Sequence, residues 1–228
     1  LPTGEVAHTT EAWFRAERSN ATVVAWGNEQ GQGKVMLNLA NPSAAFRWWR
    51  LPADGVGLAR MEFVISNHIK VHPMALVRFD DLKDAEAKRA IAELTQGYAD
   101  RTEYFVDRLA RGLARLAAAY YPKPVIIRTS DFKTNEYAHL LGGQQFEPQE
   151  ENPMIGYRGC FRYVKDPVLF RLELETLARV RQETPNLHVM IPFVRTRWEL
   201  ERCLELIDAS PLRADRGLLR WVMAEVPS

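Results

Sequence analysis

The feature that most constrains the fold is an alternation of short apolar runs with longer amphipathic segments. The runs at 34–40 (KVMLNLA), 124–130 (PVIIRTS) and 187–194 (LHVMIPFV) have the length and composition of strands. They are continuously apolar, as in strands buried on both faces of a parallel sheet. Residues 55–65 and 218–226 read in the same way, so the alternation predicts an α/β fold around a parallel sheet.

Helical segments fill the intervals between these runs. Asn41 with Pro42, and Asp166 with Pro167, supply the capping residue and first-turn proline of a helix start. Pro122 ends the longest amphipathic segment, because proline cannot continue a helix. The predicted helices cover residues 42–51, 84–98, 99–121, 166–183 and 195–210, with a short one at 135–141.

Charge and cysteine content exclude several classes of protein. The 228 residues carry 30 Lys+Arg against 29 Asp+Glu, a formal net charge of +1 that gives no sign of nucleic-acid binding. No stretch of apolar residues is long enough to predict a membrane span. Cys160 and Cys203 are too few for a disulfide framework, and no targeting pattern is found, so we expect a cytoplasmic location.

Charged residues recur where the apolar runs end. Arg60 follows GVGLA, Arg128 follows PVII, Arg158 follows PMIGY and Glu225 follows WVMA. In a parallel α/β barrel the carboxyl ends of the strands face the ligand. Guanidinium groups bind carboxylate and phosphate through two parallel hydrogen bonds, and a single carboxylate suits Mg²⁺ that is also bound by substrate. The alternative is that these residues only end strands at the solvent edge.

Longer strings carry a family resemblance. DFKTNEYAHLLGG (131–143) and EENPMIGYRG (150–159) closely resemble the phosphoenolpyruvate (PEP) synthase, or pyruvate, water dikinase, family. The strings at 51–81, VMIPFVRT (189–196) and VMAEVPS (222–228) are similar to the same family. The resemblance covers residues 34–228.

This resemblance implies a (β/α)₈ TIM-type barrel that binds pyruvate or PEP with Mg²⁺. It implies that Arg60 and Arg128 are catalytic and substrate-binding, that Arg158 is substrate-binding and that Glu225 is a Mg²⁺ ligand. In the family, an ATP-grasp domain phosphorylates a phosphohistidine domain, which then phosphorylates pyruvate in the barrel. The overall reaction converts ATP, pyruvate and water to PEP, AMP and phosphate. Relatives of full length are commonly homodimers.

The barrel is expected to be incomplete. Predicted strand ends at 40, 60, 128, 158, 194 and 225 give about six of the eight strands typical of such a barrel. We therefore expect residues 34–228 to be a barrel domain truncated before strands seven and eight, and residues 1–33 to be an N-terminal extension or linker. The family's second metal ligand and late catalytic cysteine have no counterpart, so the isolated chain is expected to be inactive.

Two other functions stay open at this point. A non-catalytic homologue could act as a binding or assembly module, because an incomplete barrel has open strand edges that pair with another chain. A different PEP-utilising phosphotransferase could also use the same barrel.

Overall fold

The parallel sheet predicted from the sequence is present. The computed structural model describes residues 9–12, 22–26 and 34–226, so the predicted N-terminal extension lies largely outside the described residues. Seven strands form one sheet in chain order: β1 (Thr9–Ala12), β2 (Thr22–Trp26), β3 (Lys34–Leu39), β4 (Gly55–Arg60), β5 (Val125–Arg128), β6 (Leu187–Ile191) and β7 (Arg220–Val222).

The strand directions divide the sheet into two parts. β1 pairs antiparallel with β2, and β2 pairs antiparallel with β3. The five strands from β3 to β7 are all parallel. Over the described ranges no strand pair closes the sheet. The α/β class with a parallel sheet is therefore confirmed, and the incomplete TIM-type barrel stays a prediction.

Nine α-helices lie in the described part of the chain, and most begin where the sequence predicts. They are α1 (Pro42–Trp48), α2 (Met61–Val64), α3 (Pro73–Val77), α4 (Ala85–Leu94), α5 (Arg101–Tyr120), α6 (Thr134–Ala138), α7 (Gly159–Lys165), α8 (Pro167–Glu183) and α9 (Arg197–Asp208). None of them is long and apolar enough to cross a membrane.

Capping side chains fix several of these starts. Asn41 accepts a hydrogen bond from the backbone N–H of Ser43 at the start of α1, and Asp166 does the same for Val168 at the start of α8. Thr196 forms a capping box with Glu199 at α9, which satisfies two N–H groups that the first turn leaves unpaired.

The two faces of the sheet are packed differently. The large hydrophobic core joins one face of the strands to the helices, with α5 and α8 contributing many of its buried side chains. The other face carries a small cluster of strand residues only, namely Met36, Leu58, Ile126 and Met190, with Trp221 and Met223 packed against it. Helices on one face and a compact strand-lined cluster on the other are consistent with part of a TIM-type barrel.

One predicted strand is absent, and two others end earlier than predicted. The strand expected to end at Arg158 does not exist, because residues 151–158 form turns and bends. The Tyr157 N–H donates to Glu150 Oε1 over 2.9 Å, so this loop folds around a carboxylate instead of pairing with a strand. Within the run at 55–65, β4 ends at the predicted Arg60, since α2 begins at Met61. β6 ends at Ile191 and β7 at Val222, short of the ends predicted at 194 and 225, because the chain leaves the sheet after these residues. The parallel strands therefore number five.

A glycine in α5 sets how closely this helix packs. A Cβ atom on Gly112 would lie 2.5 Å from Val64 Cγ1, which is far inside van der Waals contact. Gly112 is therefore needed for the close approach of α5 to the segment that follows β4, even though glycine lowers helix propensity.

We predict that Gly112→Ala lowers the free energy of unfolding by about 1–3 kcal/mol, because overpacking outweighs the gain in helix propensity. Urea unfolding of the single variants and of Gly112→Ala/Val64→Ala measures this. The double variant should lose less than the sum of the two single variants, because removing the Val64 methyl groups makes room for the new Cβ. A stabilising Gly112→Ala would contradict the close contact.

Candidate functional site

Two of the predicted arginines end neighbouring parallel strands. Arg60 is the last residue of β4, Arg128 is the last residue of β5, and the two are paired in register. In the part of the chain that the structure describes, the Arg60 guanidinium makes no hydrogen bond or ion pair. Burial and the nearby Arg128 lower the pKa of Arg60. An anion bound here would relieve this repulsion.

Arg128 is held by two carboxylates that follow the strand ends. Its Nη2 donates to Glu62 Oε1 over 2.6 Å, and its Nη1 lies 3.3 Å from Asp131 Oδ2. Glu62 Oε1 also accepts the backbone N–H of Asp131 over 2.9 Å. Burial raises the pKa of Glu62, although the charge of Arg128 opposes this. Arg128 Nε is buried and has no hydrogen-bond partner among the described residues.

Arg158 joins this group through the same aspartate. Its Nε donates to Asp131 Oδ1 over 2.9 Å and its Nη2 donates to Asp131 Oδ2 over 2.7 Å. The Asp131 side chain is fully buried. Asp131 therefore contacts both Arg128 and Arg158, although Arg158 comes from the loop before α7 and not from a strand end.

Glu225 reaches the site from three residues beyond β7. Its Oε1 accepts the backbone N–H of Phe193 over 2.8 Å, and its charge contributes to raising the pKa of Arg128, against the effect of burial. No group of three or more metal-ligating side chains is found in the described ranges. Mg²⁺ is commonly held by one or two carboxylates together with substrate oxygens, so the hard oxygens of Glu225 fit this metal as one ligand.

The three predicted arginines and Glu225 therefore lie around one centre. The sequence patterns did not single out Glu62 and Asp131, the two carboxylates that position the arginines. A signal was available, because Glu62 comes two residues after Arg60 and Asp131 comes three residues after Arg128. Carboxylates directly after a strand that ends in arginine are placed to pair with it.

A second network of buried hydrogen bonds begins at Ser130, the residue before Asp131. Ser130 Oγ donates to Glu173 Oε1, and Ser130 N–H donates to Oε2 over 3.3 Å. The Tyr163 hydroxyl lies 2.6 Å from the Ser130 carbonyl oxygen and 2.9 Å from Glu173 Oε2. The hydroxyl has one proton, so when it donates to the Ser130 carbonyl oxygen, the contact with Glu173 is a hydrogen bond only if Glu173 Oε2 carries a proton. In agreement, burial raises the pKa of Glu173 to about 8.

The loop before Arg158 is anchored by a buried ion pair. Glu147 accepts two hydrogen bonds from Arg162, over 2.6 and 2.7 Å, and lies 2.9 Å from His72 Nε2. His72 Nδ1 accepts the N–H of Met74, so the ring proton is on Nε2, and burial lowers the pKa of His72. Arg162 also donates to the Tyr157 carbonyl oxygen over 2.9 Å, which ties the Arg158 loop to α7.

The two cysteines lie away from this chemistry. Cys160 and Cys203 are both fully buried, with 3.2 Å between their sulfur atoms. The core role predicted for Cys203 agrees with this burial. Because both thiols are buried, neither is exposed at the arginine cluster.

Comparisons with known proteins give a consistent result. The family described as PEP-utilising enzyme, PEP-binding domain, matches residues 15–228. The phosphoenolpyruvate synthase of Synechocystis sp. is 54% identical over 202 residues, covering 86% of this chain and 25% of that protein. The phosphoenolpyruvate synthases of Escherichia coli and Helicobacter pylori are 48% and 47% identical, and they cover 86% and 87% of this chain. The chain spans about a quarter of the length of these relatives.

The protonated state of Glu173 generates a pH prediction. Its pKa in the folded protein, about 8, is above its ordinary value of 4.5, so the folded state binds more protons between these values. Stability from this group is complete below about pH 4.5 and is lost as the pH rises through about 8. We predict that Glu173→Gln, which imitates the protonated acid, gains about 3–5 kcal/mol of stability relative to wild type between about pH 5 and pH 9.

Urea unfolding of both proteins across this range measures the difference. Glu175→Gln is a matched control, because Glu175 lies on the same helix with a side chain that is 53% exposed. A difference in stability that does not change with pH would show that Glu173 is ionised in the folded protein.

Proposed function

This chain belongs to the PEP-binding domain family of PEP-utilising enzymes, and we propose that it is part of a phosphoenolpyruvate synthase, in which it binds pyruvate and PEP. The observation that carries this proposal is the Arg60 guanidinium, which makes no hydrogen bond or ion pair among the described residues, although Glu62 attracts it, and which lies beside the ion-paired Arg128. The Asp131 carboxylate contacts both Arg128 and Arg158, so Arg158 lies at the same centre. Such an arrangement suits a small ligand with both a carboxylate and a phosphate group.

The donors that remain indicate where the ligand binds. Arg128 and Arg158 use part of their donor capacity on Glu62 and Asp131, which fixes their orientation. Arg60 keeps its whole guanidinium available, and Arg128 keeps a buried Nε–H without a partner. We assign Arg60 and Arg128 to the phosphoryl group and the enolate oxygen, and Arg158 to a second anionic group of the substrate.

The charges at this centre favour binding of a metal together with the anion. Three guanidiniums are matched by the carboxylates of Glu62, Asp131 and Glu225, so the protein alone offers little net positive charge. Glu225 would hold Mg²⁺, which when bound would supply positive charge to the substrate oxygens. The arginines orient the anion and stabilise the charge that develops on it.

We propose the following chemistry for the parent enzyme. A base in another part of the longer protein removes a methyl proton from pyruvate to give the enolate. The enolate oxygen then attacks the phosphorus of a phosphohistidine, the P–N bond breaks, and PEP and the free histidine are formed. Phosphoryl transfer depends mainly on alignment and charge neutralisation, which fixed arginines provide. The phosphohistidine domain and the ATP-grasp domain that phosphorylates it are assigned to other parts of the longer protein. The parent reaction would convert ATP, pyruvate and water to PEP, AMP and phosphate.

Arg60 provides the most direct test of PEP binding. We predict that Arg60→Ala weakens the affinity of the chain for PEP in the presence of Mg²⁺ by about tenfold or more, since a charge-assisted contact to phosphate is lost. The unfolding free energy should change little, because the Arg60 guanidinium makes no hydrogen bond or ion pair in the described part of the chain and Glu62 keeps its contact with Arg128. Isothermal titration calorimetry and urea unfolding measure the two quantities.

Arg111→Ala is the matched control, because the Arg111 side chain is 67% exposed on α5 and, among the described residues, forms an ion pair only with Asp107, one turn away. PEP should bind this variant as it binds the wild type. Equal PEP affinity in the wild type and Arg60→Ala would contradict the assignment of Arg60 to the ligand.

Glu225 provides the test of metal binding. We predict that Glu225→Gln raises the Kd for Mn²⁺, used as a spectroscopic substitute for Mg²⁺, by about tenfold or more, because a neutral amide is a much poorer ligand for a hard cation. Electron paramagnetic resonance of free Mn²⁺ measures the affinity with PEP present. Glu201→Gln, an exposed change on α9, is the control. Unchanged Mn²⁺ affinity in Glu225→Gln would remove Glu225 from the metal site.

A further inference from the structure

Phe193 contacts two of the proposed site residues at once. It lies two residues after the end of β6, and its backbone N–H donates to Glu225 Oε1 over 2.8 Å. Its ring centre is 4.4 Å from the Arg158 Cζ atom, within the range of a cation–π contact. The string VMIPFVRT contains this residue, but the sequence assigned no role to its side chain.

The backbone of Phe193 is in an unfavourable conformation. Its φ angle is +50°, in the left-handed region that glycine adopts readily and bulky residues rarely adopt. Strained residues persist where the surrounding structure over-determines them, and they concentrate at functional sites. Glycine would be the favoured residue at this position, so the presence of phenylalanine indicates that the ring has a role.

The neighbouring backbone has adapted to this residue. Gly159, the residue after Arg158, also has a positive φ of +53°, and a Cβ atom there would lie 2.7 Å from Phe193 Cβ. The Cys160 N–H donates to the Pro192 carbonyl oxygen over 3.0 Å. The turn after β6 and the start of α7 are therefore in direct contact, and this contact places the ring against Arg158.

The ring and Asp131 hold Arg158 in different ways. Asp131 binds the edge of the guanidinium through two hydrogen bonds, and Nη1 donates to the Met154 carbonyl oxygen over 3.1 Å. These N–H donors lie in the plane of the guanidinium, so they resist a tilt of that plane less than a ring packed on its face does. The Phe193 ring lies over the guanidinium and restricts that tilt. The same ring is 5.0 Å from Arg195 Cζ, and Arg195 donates to the carbonyl oxygens of Ile155 and Gly156 in the loop before Arg158.

We propose that Phe193 is a positioning residue that holds the Arg158 guanidinium in the orientation that receives an anionic group of PEP. Phe193 acts through Arg158 and does not itself bind the phosphate or carboxylate. The identity of the anion rests on the function proposed above, whereas the restraint of Arg158 by the ring does not depend on it.

The experiment removes the ring and measures Arg158 directly. Phe193→Leu takes away the aromatic face but keeps an apolar side chain and the backbone N–H that binds Glu225. Phe193→Tyr keeps the face, and Phe161→Leu makes the same chemical change at a ring that contacts Arg195 but not Arg158. Phe193→Met replaces Phe193→Leu if the leucine variant does not fold.

Two measurements are made on the whole chain. Nuclear magnetic resonance gives the rate at which the Arg158 Nε–H exchanges with water, which reports how firmly the guanidinium is held against Asp131. Calorimetry with Mg²⁺ gives the affinity for PEP. We expect Phe193→Leu to speed this exchange and to weaken PEP binding, each by about tenfold. Phe193→Tyr and Phe161→Leu should behave as the wild type.

The outcomes separate the positioning role from the proposed function. Unchanged Nε–H exchange in Phe193→Leu overturns the proposal, whatever the affinity. Faster exchange with unchanged PEP affinity also overturns it, because Arg158 would then not need its orientation to bind the ligand. Faster exchange in a chain whose wild type does not bind PEP would support the restraint of Arg158 and contradict the proposed function.

Discussion

The site depends on one fully buried carboxylate, that of Asp131. It pairs with Arg158 through two hydrogen bonds and lies 3.3 Å from Arg128, so it holds two guanidiniums that would otherwise repel each other. A buried charge is tolerated only when it is paired, and breaking such a pair is strongly destabilising. The arrangement of the arginines and the stability of the loops that carry them therefore depend on the same interaction.

The surrounding structure keeps Asp131 in place. Glu62 accepts its backbone N–H, and the preceding residue, Ser130, is hydrogen-bonded to the buried Glu173. The Glu147–Arg162 ion pair anchors the loop that carries Arg158, because Arg162 also donates to the Tyr157 carbonyl oxygen. These polar groups lie between the strand ends and the helices, where the low local dielectric strengthens each interaction and makes an unpaired group costly. A fixed cluster of this kind binds an anion without first having to order its own side chains.

The sheet explains why residues so distant in sequence meet. Parallel strands place all their carboxyl ends at one edge, so Arg60 and Arg128 become neighbours although 68 positions separate them. The turn after β6 and the segment after β7 reach the same edge, which brings Phe193 next to Glu225. The strained φ of Phe193 is sustained by these contacts and not by its own local sequence.

The sequence by itself determined the secondary structure and the class of fold. Apolar runs, capping residues and prolines act locally, so the starts of α1, α8 and α9 and the ends of β4 and β5 are legible in the amino-acid order. The prediction of a strand ending at Arg158 was wrong. An apolar string does not show that the chain forms a loop around the Glu150 carboxylate.

The sequence motifs also pointed to the three arginines and Glu225. Arg60 and Arg128 end strands, a recognisable pattern, whereas Arg158 and Glu225 lie beyond strands and were found through the resemblance to PEP synthases. Only the tertiary structure decided which carboxylates hold them. The pairing of Asp131 with Arg158 and the ring of Phe193 over the same guanidinium join segments that are 27 and 35 positions apart. Such pairings are set by how the loops pack at the edge of the sheet, where distance along the chain carries no information about distance in space.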